Sequence, residues 1–147
     1  MSMEWVMSWI RQAPAFASGL RTGRHHHVRS DHFAVGEEGE SIATQYLRTQ
    51  NYKILDRNVR VGKHDEIDII AFDRTERVMV FAEVKTRLRE DADYRPELNI
   101  TPEKRHRMSR AARRWIVRSK YDGGYRLDVL CVAAGRVIEH YREVQWG

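Results

Sequence analysis

The sequence has a single cysteine, Cys131, and no apolar run long enough to cross a membrane. One cysteine excludes an internal disulfide framework and fits a reducing compartment, so we expect a cytoplasmic protein. A membrane-spanning helix needs about 20 apolar residues, so no membrane span is expected. Repeats and low-complexity tracts are also absent after residue 30. These absences predict one soluble domain for a chain of 147 residues.

Positive charge is concentrated in one part of the chain, whose net charge is +5. Residues 102–120 hold eight Lys or Arg and one acid, Glu103, so this segment carries +7 and the remainder −2. A localised basic excess indicates contact with a polyanion such as nucleic acid. A solvated helix face is the alternative, and charge alone does not decide between the two.

Residues 1–30 differ from the rest of the sequence. Their short apolar patch, which includes Trp5 and Trp9, is broken too early for a secretory signal. We expect a poorly ordered or accessory extension, with a membrane-surface anchor or a partner contact as alternatives. The histidines at 25–27 lack the spaced Cys or carboxylate ligands of a structural zinc site. The folded domain is therefore expected over residues 31–147.

Hydrophobic spacing after this extension predicts an α/β domain with a mixed central sheet flanked by helices. The expected order is helix, three strands, helix and two strands, with a polar loop between the third strand and the second helix. That third strand is almost continuously apolar, which is typical of a central strand. We expect helices at 34–50 and 102–122, a loop at 88–100, and strands at 52–61, 66–72, 77–85, 125–133 and 136–144.

The second predicted helix has a clear start and two distinct faces. Thr101 can cap it, Pro102 suits its first position, and Glu103 complements the helix dipole. Helical spacing places apolar residues on one face: Met108, Ala111, Ala112, Trp115 and Ile116. Basic residues fall on the opposite face: Arg107, Arg110, Arg113, Arg114, Arg118 and Lys120.

Two acids and a lysine in neighbouring strands form the most informative pattern. Glu83 and Lys85 project from the same face because side chains alternate along a strand. If the second and third strands pair as a hairpin, Asp68 comes beside them, and two carboxylates offer hard oxygen ligands for Mg²⁺ or Mn²⁺. Both acids stand among apolar residues, where a charge is costly unless paired or metal-bound. A salt bridge to Lys85 or Arg87 at a sheet edge is the alternative.

Several motifs resemble, in order, those of the YraN family of bacterial proteins. They lie within residues 34–144 and are Gly39-Glu40, Glu66-Ile67-Asp68-Ile69-Ile70-Ala71, Val80 to Arg87 and Arg126-Leu127-Asp128-Val129. That family is assigned to the PD-(D/E)XK superfamily of restriction endonuclease-like and Holliday junction resolvase-like proteins. The resemblance implies an endonuclease-like core of helix, three strands, helix and strand. The sequence departs from the family pattern at Asp65, where glycine is usual, and at Ala82, where a β-branched residue is common.

The resemblance also implies roles for individual residues. Asp68 and Glu83 match two metal carboxylates, and Lys85 matches the lysine that orients or activates the attacking water. Glu40 matches a glutamate that completes the metal shell in related resolvases, with a helix-start charge as the alternative. Asp128 matches a family position for which we expect a structural hydrogen bond.

The expected function is Mg²⁺- or Mn²⁺-dependent hydrolysis of phosphodiester bonds in DNA or RNA, with DNA favoured. No base-reading motif is visible, so specificity is expected for substrate structure rather than sequence. Nucleic-acid contacts are expected from Arg87, Arg107, Arg110, Arg113, Arg114 and Arg118. The alternatives are a non-catalytic nucleic-acid-binding or adaptor protein with the same fold, and an interaction protein whose N-terminal extension binds a partner. The sequence leaves open whether the chain forms a homodimer.

Overall fold

The computed structural model describes residues 31–87 and 101–142. These residues form two helices and five strands: α1 (Asp31–Thr49), β1 (Tyr52–Arg60), β2 (Glu66–Asp73), β3 (Val78–Arg87), α2 (Pro102–Ser119), β4 (Tyr125–Ala133) and β5 (Arg136–Tyr141). The predicted α/β class and order of elements are confirmed. The predicted extension at 1–30, the loop at 88–100 and the last residues of the final predicted strand lie outside the described residues.

The five strands form one mixed sheet in the order β1-β2-β3-β4-β5. β3 and β4 pair in parallel, and the other three pairs are antiparallel. A parallel pair needs a crossover connection, and α2 lies in the chain between β3 and β4. The apolar strand β3 is therefore central, as its sequence predicted. Among the described residues, neither helix is long and apolar enough to cross a bilayer.

The helices cover opposite faces of the sheet, so the core has two halves. One half gathers the apolar face of α2 against alternate sheet residues, among them Ile70, Phe72, Met79, Phe81, Met108, Ala111, Ala112 and Trp115. The other half gathers α1 against the intervening residues, among them Ala43, Leu47, Ile69, Ala71, Val80, Ala82 and Leu130. Strand alternation explains why neighbouring residues of β2 and β3 belong to different halves.

Gly39 lets α1 approach β3 closely. A Cβ atom at this position would overlap the side chain of Thr86, whereas a Cβ atom at Gly36 would meet nothing within 4 Å. The close packing of α1 on β3 therefore requires a residue without a side chain at position 39. The next residue, Glu40, therefore lies toward the end of β3 that carries Thr86.

A buried ionic network joins the edge strand β1 to β2 and β4. Arg126, whose side chain is 3% exposed, donates to Asp128 and to Asp73, each at 2.9 Å. It also donates to Glu76 and to the hydroxyl of Tyr52. These partners come from β1, from β2 and the turn that follows it, and from β4, so one guanidinium joins three strands. The predicted structural role of Asp128 agrees with this arrangement.

We expect Gly39→Ala to destabilise the fold by about 1–3 kcal/mol, because the added methyl group meets Thr86 in a packed interface. Gly36→Ala is the matched control in the same helix. It should stabilise the protein by about 0.5–1 kcal/mol, since alanine loses less conformational entropy than glycine in a helix. Urea unfolding of both variants measures the difference. Equal effects would show that α1 does not depend on close contact at Gly39.

We expect Arg126→Met to cost about 3–5 kcal/mol, because it leaves the buried carboxylates of Asp73 and Asp128 without their main cation. Arg142→Met is the control, since Arg142 contacts Asp73 and Glu76 but its side chain is 46% exposed. Solvent screens the half-exposed guanidinium of Arg142, so its pairs contribute less than the buried pairs of Arg126. Urea unfolding should therefore separate the two variants, and similar losses would contradict the assigned importance of the buried guanidinium.

Candidate active site at a fork in the sheet

The candidate site lies where β2 and β3 separate. Their pairing ends at Ile69 and Ala82. Beyond this point β2 stays paired with β1 as far as Glu66, and β3 stays paired with β4 as far as Arg87. The sheet therefore forks, and backbone groups on the facing edges of β2 and β3 need other partners.

Asp68 lies in the fork and supplies one such partner. Its Oδ2 atom accepts a hydrogen bond from the backbone N–H of Val84 at 2.8 Å. Burial and the nearby charge of Glu83 raise the pKa of Asp68 to about 7, although the Val84 hydrogen bond opposes this shift. Asp68 is thus an acid whose charge is costly in this structure, which is common where carboxyl groups have chemical roles.

Glu83 lies beside Asp68 on the same face of the sheet. By strand alternation, Asp68 shares a face with Ile70, and Glu83 shares one with Phe81. Both of these apolar residues belong to the core half under α2. Glu83 is only 6% exposed. The structure thus brings the two predicted acids together.

Two lysines meet a single oxygen atom of Glu83. The Nζ atom of Lys85 lies 3.1 Å from Glu83 Oε1, and the Nζ atom of Lys104 lies 2.6 Å from the same atom. Lys85 comes from β3 as predicted, whereas Lys104 comes from the first turn of α2. The acid is therefore neutralised from two different elements.

An open cavity of about 300 Å³ lies beside these groups. Its walls come from the β1–β2 turn, from β2 and from α2, and are formed by His64, Asp65, Glu66, Asp68, Lys104, Arg107 and Met108. The cavity combines acidic and basic side chains within reach of solvent. Its chemistry suits a charged ligand that carries both a cation and an anionic group.

Sequence reasoning did not single out Lys104 as a site residue. Thr101 caps α2 by accepting a hydrogen bond from the backbone N–H of Lys104 at 3.2 Å, which fixes the start of the helix. Lys104 then precedes Met108 by four residues and Trp115 by eleven, so it shares their buried face. A lysine on the apolar face of a helix was the signal that could have revealed it.

Glu40 approaches from the opposite face, on α1. Its Oε2 atom is buried without a hydrogen-bond partner and lies 3.9 Å from Arg57 Nη2. Burial raises the pKa of Glu40, while a hydrogen bond with Asn58 and the charge of Arg57 lower it. Glu40 also contributes to the raised pKa of Asp68. It is thus coupled electrostatically to the fork.

The donors in the fork fit a two-carboxylate site for a hard divalent cation. Asp68 and Glu83 offer oxygen ligands, which Mg²⁺ and Mn²⁺ prefer. Within residues 31–87 and 101–142, no three His, Cys, Asp or Glu side chains are grouped to hold a metal. Glu40 therefore does not complete a three-acid cluster in this structure.

The predicted nucleic-acid contacts occupy different environments. Arg107 lines the cavity. Arg113 and Arg118 are exposed on α2, and Arg87 is half-buried at the end of β3. Arg110 and Arg114 instead bind Asp65, with their closest N–O distances at 2.8 and 2.9 Å.

Asp65 was not predicted to organise the basic helix. It is 4% exposed, and hydrogen bonds from Arg110, against the cost of burial, hold the pKa of its carboxyl below its ordinary value. The Asp65 carboxylate thus attaches α2 to the β1–β2 turn. Part of the positive charge that sequence analysis assigned to nucleic acid is used inside the protein.

The fold and site define a mixed α/β domain with an acid pair and two lysines at a fork in its sheet. The chain belongs to the uncharacterised protein family UPF0102, whose model matches residues 39–132. The resemblance to the YraN family is confirmed at this level. The matched range contains all four residues of the cluster: Asp68, Glu83, Lys85 and Lys104.

Three relatives show how far the similarity extends. A UPF0102 protein of Pelobacter propionicus is 43% identical over 107 residues, which cover 71% of this chain and 74% of the relative. One from Geotalea uraniireducens is 39% identical over 120 residues, which cover 78% and 91%. One from Streptomyces coelicolor is 39% identical over 117 residues, which cover 76% and 88%. The names of these relatives give the family and no activity.

We expect Asp68→Asn to become stabilising relative to wild type as pH rises in metal-free solution. The raised pKa means that Asp68 contributes stability below its ordinary value of 3.8, and this contribution is lost as pH rises through about 7. Asparagine does not titrate and still accepts the Val84 hydrogen bond. From about pH 5 to about pH 8, the unfolding free energy of the variant should gain about 1–3 kcal/mol on wild type.

Urea unfolding at several pH values, with a chelator present, measures this change. Glu66→Gln is the control, because Glu66 lies on the same strand but is exposed. A difference between Asp68→Asn and wild type that does not vary with pH would show that burial and Glu83 do not perturb Asp68.

Proposed function

We propose that this protein is a metal-dependent nuclease with an endonuclease-like core of the PD-(D/E)XK class, and that it hydrolyses phosphodiester bonds in nucleic acid. The observation that carries the proposal is the position of Asp68, Glu83 and Lys85 on one face of a forked sheet, beside a charged cavity. The order of elements, helix, three strands, helix and strand, supports the same class.

Asp68 and Glu83 would hold Mg²⁺ or Mn²⁺ through their carboxylate oxygens. The bound cation would supply a Lewis acid that activates water and neutralises negative charge on the phosphate. Asp68 is fixed for this task by its hydrogen bond from Val84. Glu83 is fixed by the two lysines, whose positive charges compensate its buried carboxylate.

Lys85 would act on the attacking water and on the charge that develops at the phosphate. It lies two residues from Glu83 on β3, and its ammonium group is held 3.1 Å from Glu83 Oε1. A fixed positive charge at this point stabilises a transition state more than the ground state, where less charge has gathered.

The surroundings of the cavity favour contact with the nucleic-acid backbone. Arg107 lines the cavity, and Arg113 and Arg118 are exposed further along α2. Such side chains bind phosphates without reading base sequence. We therefore propose specificity for the structure of the substrate, such as junctions, flaps or ends, and favour DNA over RNA.

A second candidate is a non-catalytic nucleic-acid-binding or adaptor protein with the same fold. The observation that favours it is the double lysine contact on Glu83, which leaves this acid neutralised without a metal ion. In that case the cluster is a structural ion group, and the basic surface of α2 does the binding.

We expect Lys85→Ala to lower the single-turnover cleavage rate by about 100-fold or more, because it removes a charge used chiefly in the transition state. Mn²⁺ should still bind, since both carboxylates remain. Asp68→Ala should lose both Mn²⁺ binding and cleavage. The measurements are cleavage of branched and linear DNA and RNA with Mg²⁺ or Mn²⁺, and calorimetric Mn²⁺ titration of wild type and both variants.

Arg48→Ala is the control, because it removes an exposed positive charge from α1, on the opposite face of the sheet. Cleavage by wild type that survives Lys85→Ala unchanged would contradict the role of Lys85. Wild type that binds neither cation and cleaves no substrate, yet binds nucleic acid, would favour the second candidate.

A further inference from the structure

Two ammonium groups share one oxygen atom in the candidate site. Lys104 Nζ lies 2.6 Å from Glu83 Oε1, closer than Lys85 Nζ at 3.1 Å. Charge-assisted N–O contacts of this kind are usually about 2.7–2.9 Å long. Glu83 therefore has a short contact to Lys104 as well as the contact to the lysine predicted from sequence.

A divalent cation held by Asp68 and Glu83 would lie close to both ammonium groups. Two ammonium groups and a divalent cation would place four positive charges around two carboxylates. Like charges at a separation of about 4 Å repel strongly where water is partly excluded. We therefore expect one ammonium group to leave Glu83 when a cation binds.

Lys104 is the lysine with open space beside its side chain. Lys104 itself lines the open cavity with Arg107, whereas Lys85 is not among the residues that form its walls. The backbone of Lys104 is held by the Thr101 cap, but its four-carbon side chain can rotate without disturbing the helix. The side chain can thus turn from Glu83 into the cavity.

We propose that the Lys104 ammonium group holds the place of the divalent cation on Glu83 and, when the cation binds, turns into the cavity and binds a backbone phosphate of nucleic acid. This inference rests on the proposed function and adds a phosphate-binding residue that the sequence motifs do not contain. The exchange keeps Glu83 neutralised before the cation arrives. It also adds positive charge to the cavity only in the cation-loaded state.

The test compares Lys104→Met with wild type and with Arg48→Met, which removes an exposed positive charge from α1. Mn²⁺ titration by calorimetry should show about tenfold tighter binding to Lys104→Met, because a competing positive charge has gone. Arg48→Met should match wild type. If the methionine variant does not fold, Lys104→Gln takes its place. This variant keeps a hydrogen-bond donor without the charge and should give the same result.

A second measurement follows the lysine after it leaves Glu83. Binding of a branched DNA is measured in chelator and in Ca²⁺, a hard cation of the same charge as Mg²⁺. Lys104→Met should bind like wild type in chelator, where Lys104 is held by Glu83. In Ca²⁺ it should bind about tenfold more weakly, because one phosphate contact is missing.

The outcomes separate this inference from the proposed function. Equal Mn²⁺ affinity of wild type and Lys104→Met would overturn the exchange but leave the nuclease proposal intact. Absence of Mn²⁺ binding by both would overturn the exchange and the metal site together. Tighter binding by Lys104→Met, with no cleavage of any substrate by wild type, would support the exchange and contradict the nuclease proposal.

Discussion

The separation of β2 from β3 beyond the Ile69–Ala82 pair is the constraint on which the site depends. A forked sheet leaves backbone donors without strand partners, and a buried unpaired N–H group is costly. The Asp68 carboxylate satisfies the donor of Val84. The same bond draws an acid into the interior beside Glu83, where burial and charge make ionisation unfavourable. The fork thus places Asp68, an acid whose ionisation is unfavourable, in the wall of the cavity.

Two buried charge clusters of this fold differ in one respect that matters for function. Arg126 has most of its partners within the sheet, and the side chains of Asp73 and Asp128 are at most 1% exposed. Glu83 is also buried, but one of its two lysines, Lys104, lines an open cavity. The first cluster stabilises the sheet. The second meets a solvent-accessible cavity through Lys104.

The basic helix illustrates why a count of charges does not define a binding surface. Arg110 and Arg114 bind Asp65, a buried acid in the β1–β2 turn. Burial of the Asp65 carboxylate without these partners would be unfavourable, so the two arginines fix the position of α2. That position in turn places Lys104 on Glu83 and Arg107 in the cavity. A structural ion pair therefore sets the geometry of the candidate site.

Local patterns in the sequence determined the element order, the central position of β3 and the shared face of Glu83 and Lys85, because these follow from periodicities of 3.6 and 2 residues. Only the tertiary structure decided that β2 and β3 fork, that Lys104 meets Glu83 and that Arg110 and Arg114 bind Asp65. These contacts join residues far apart in the chain. They depend on how helices and strands are placed in space, which no local periodicity encodes.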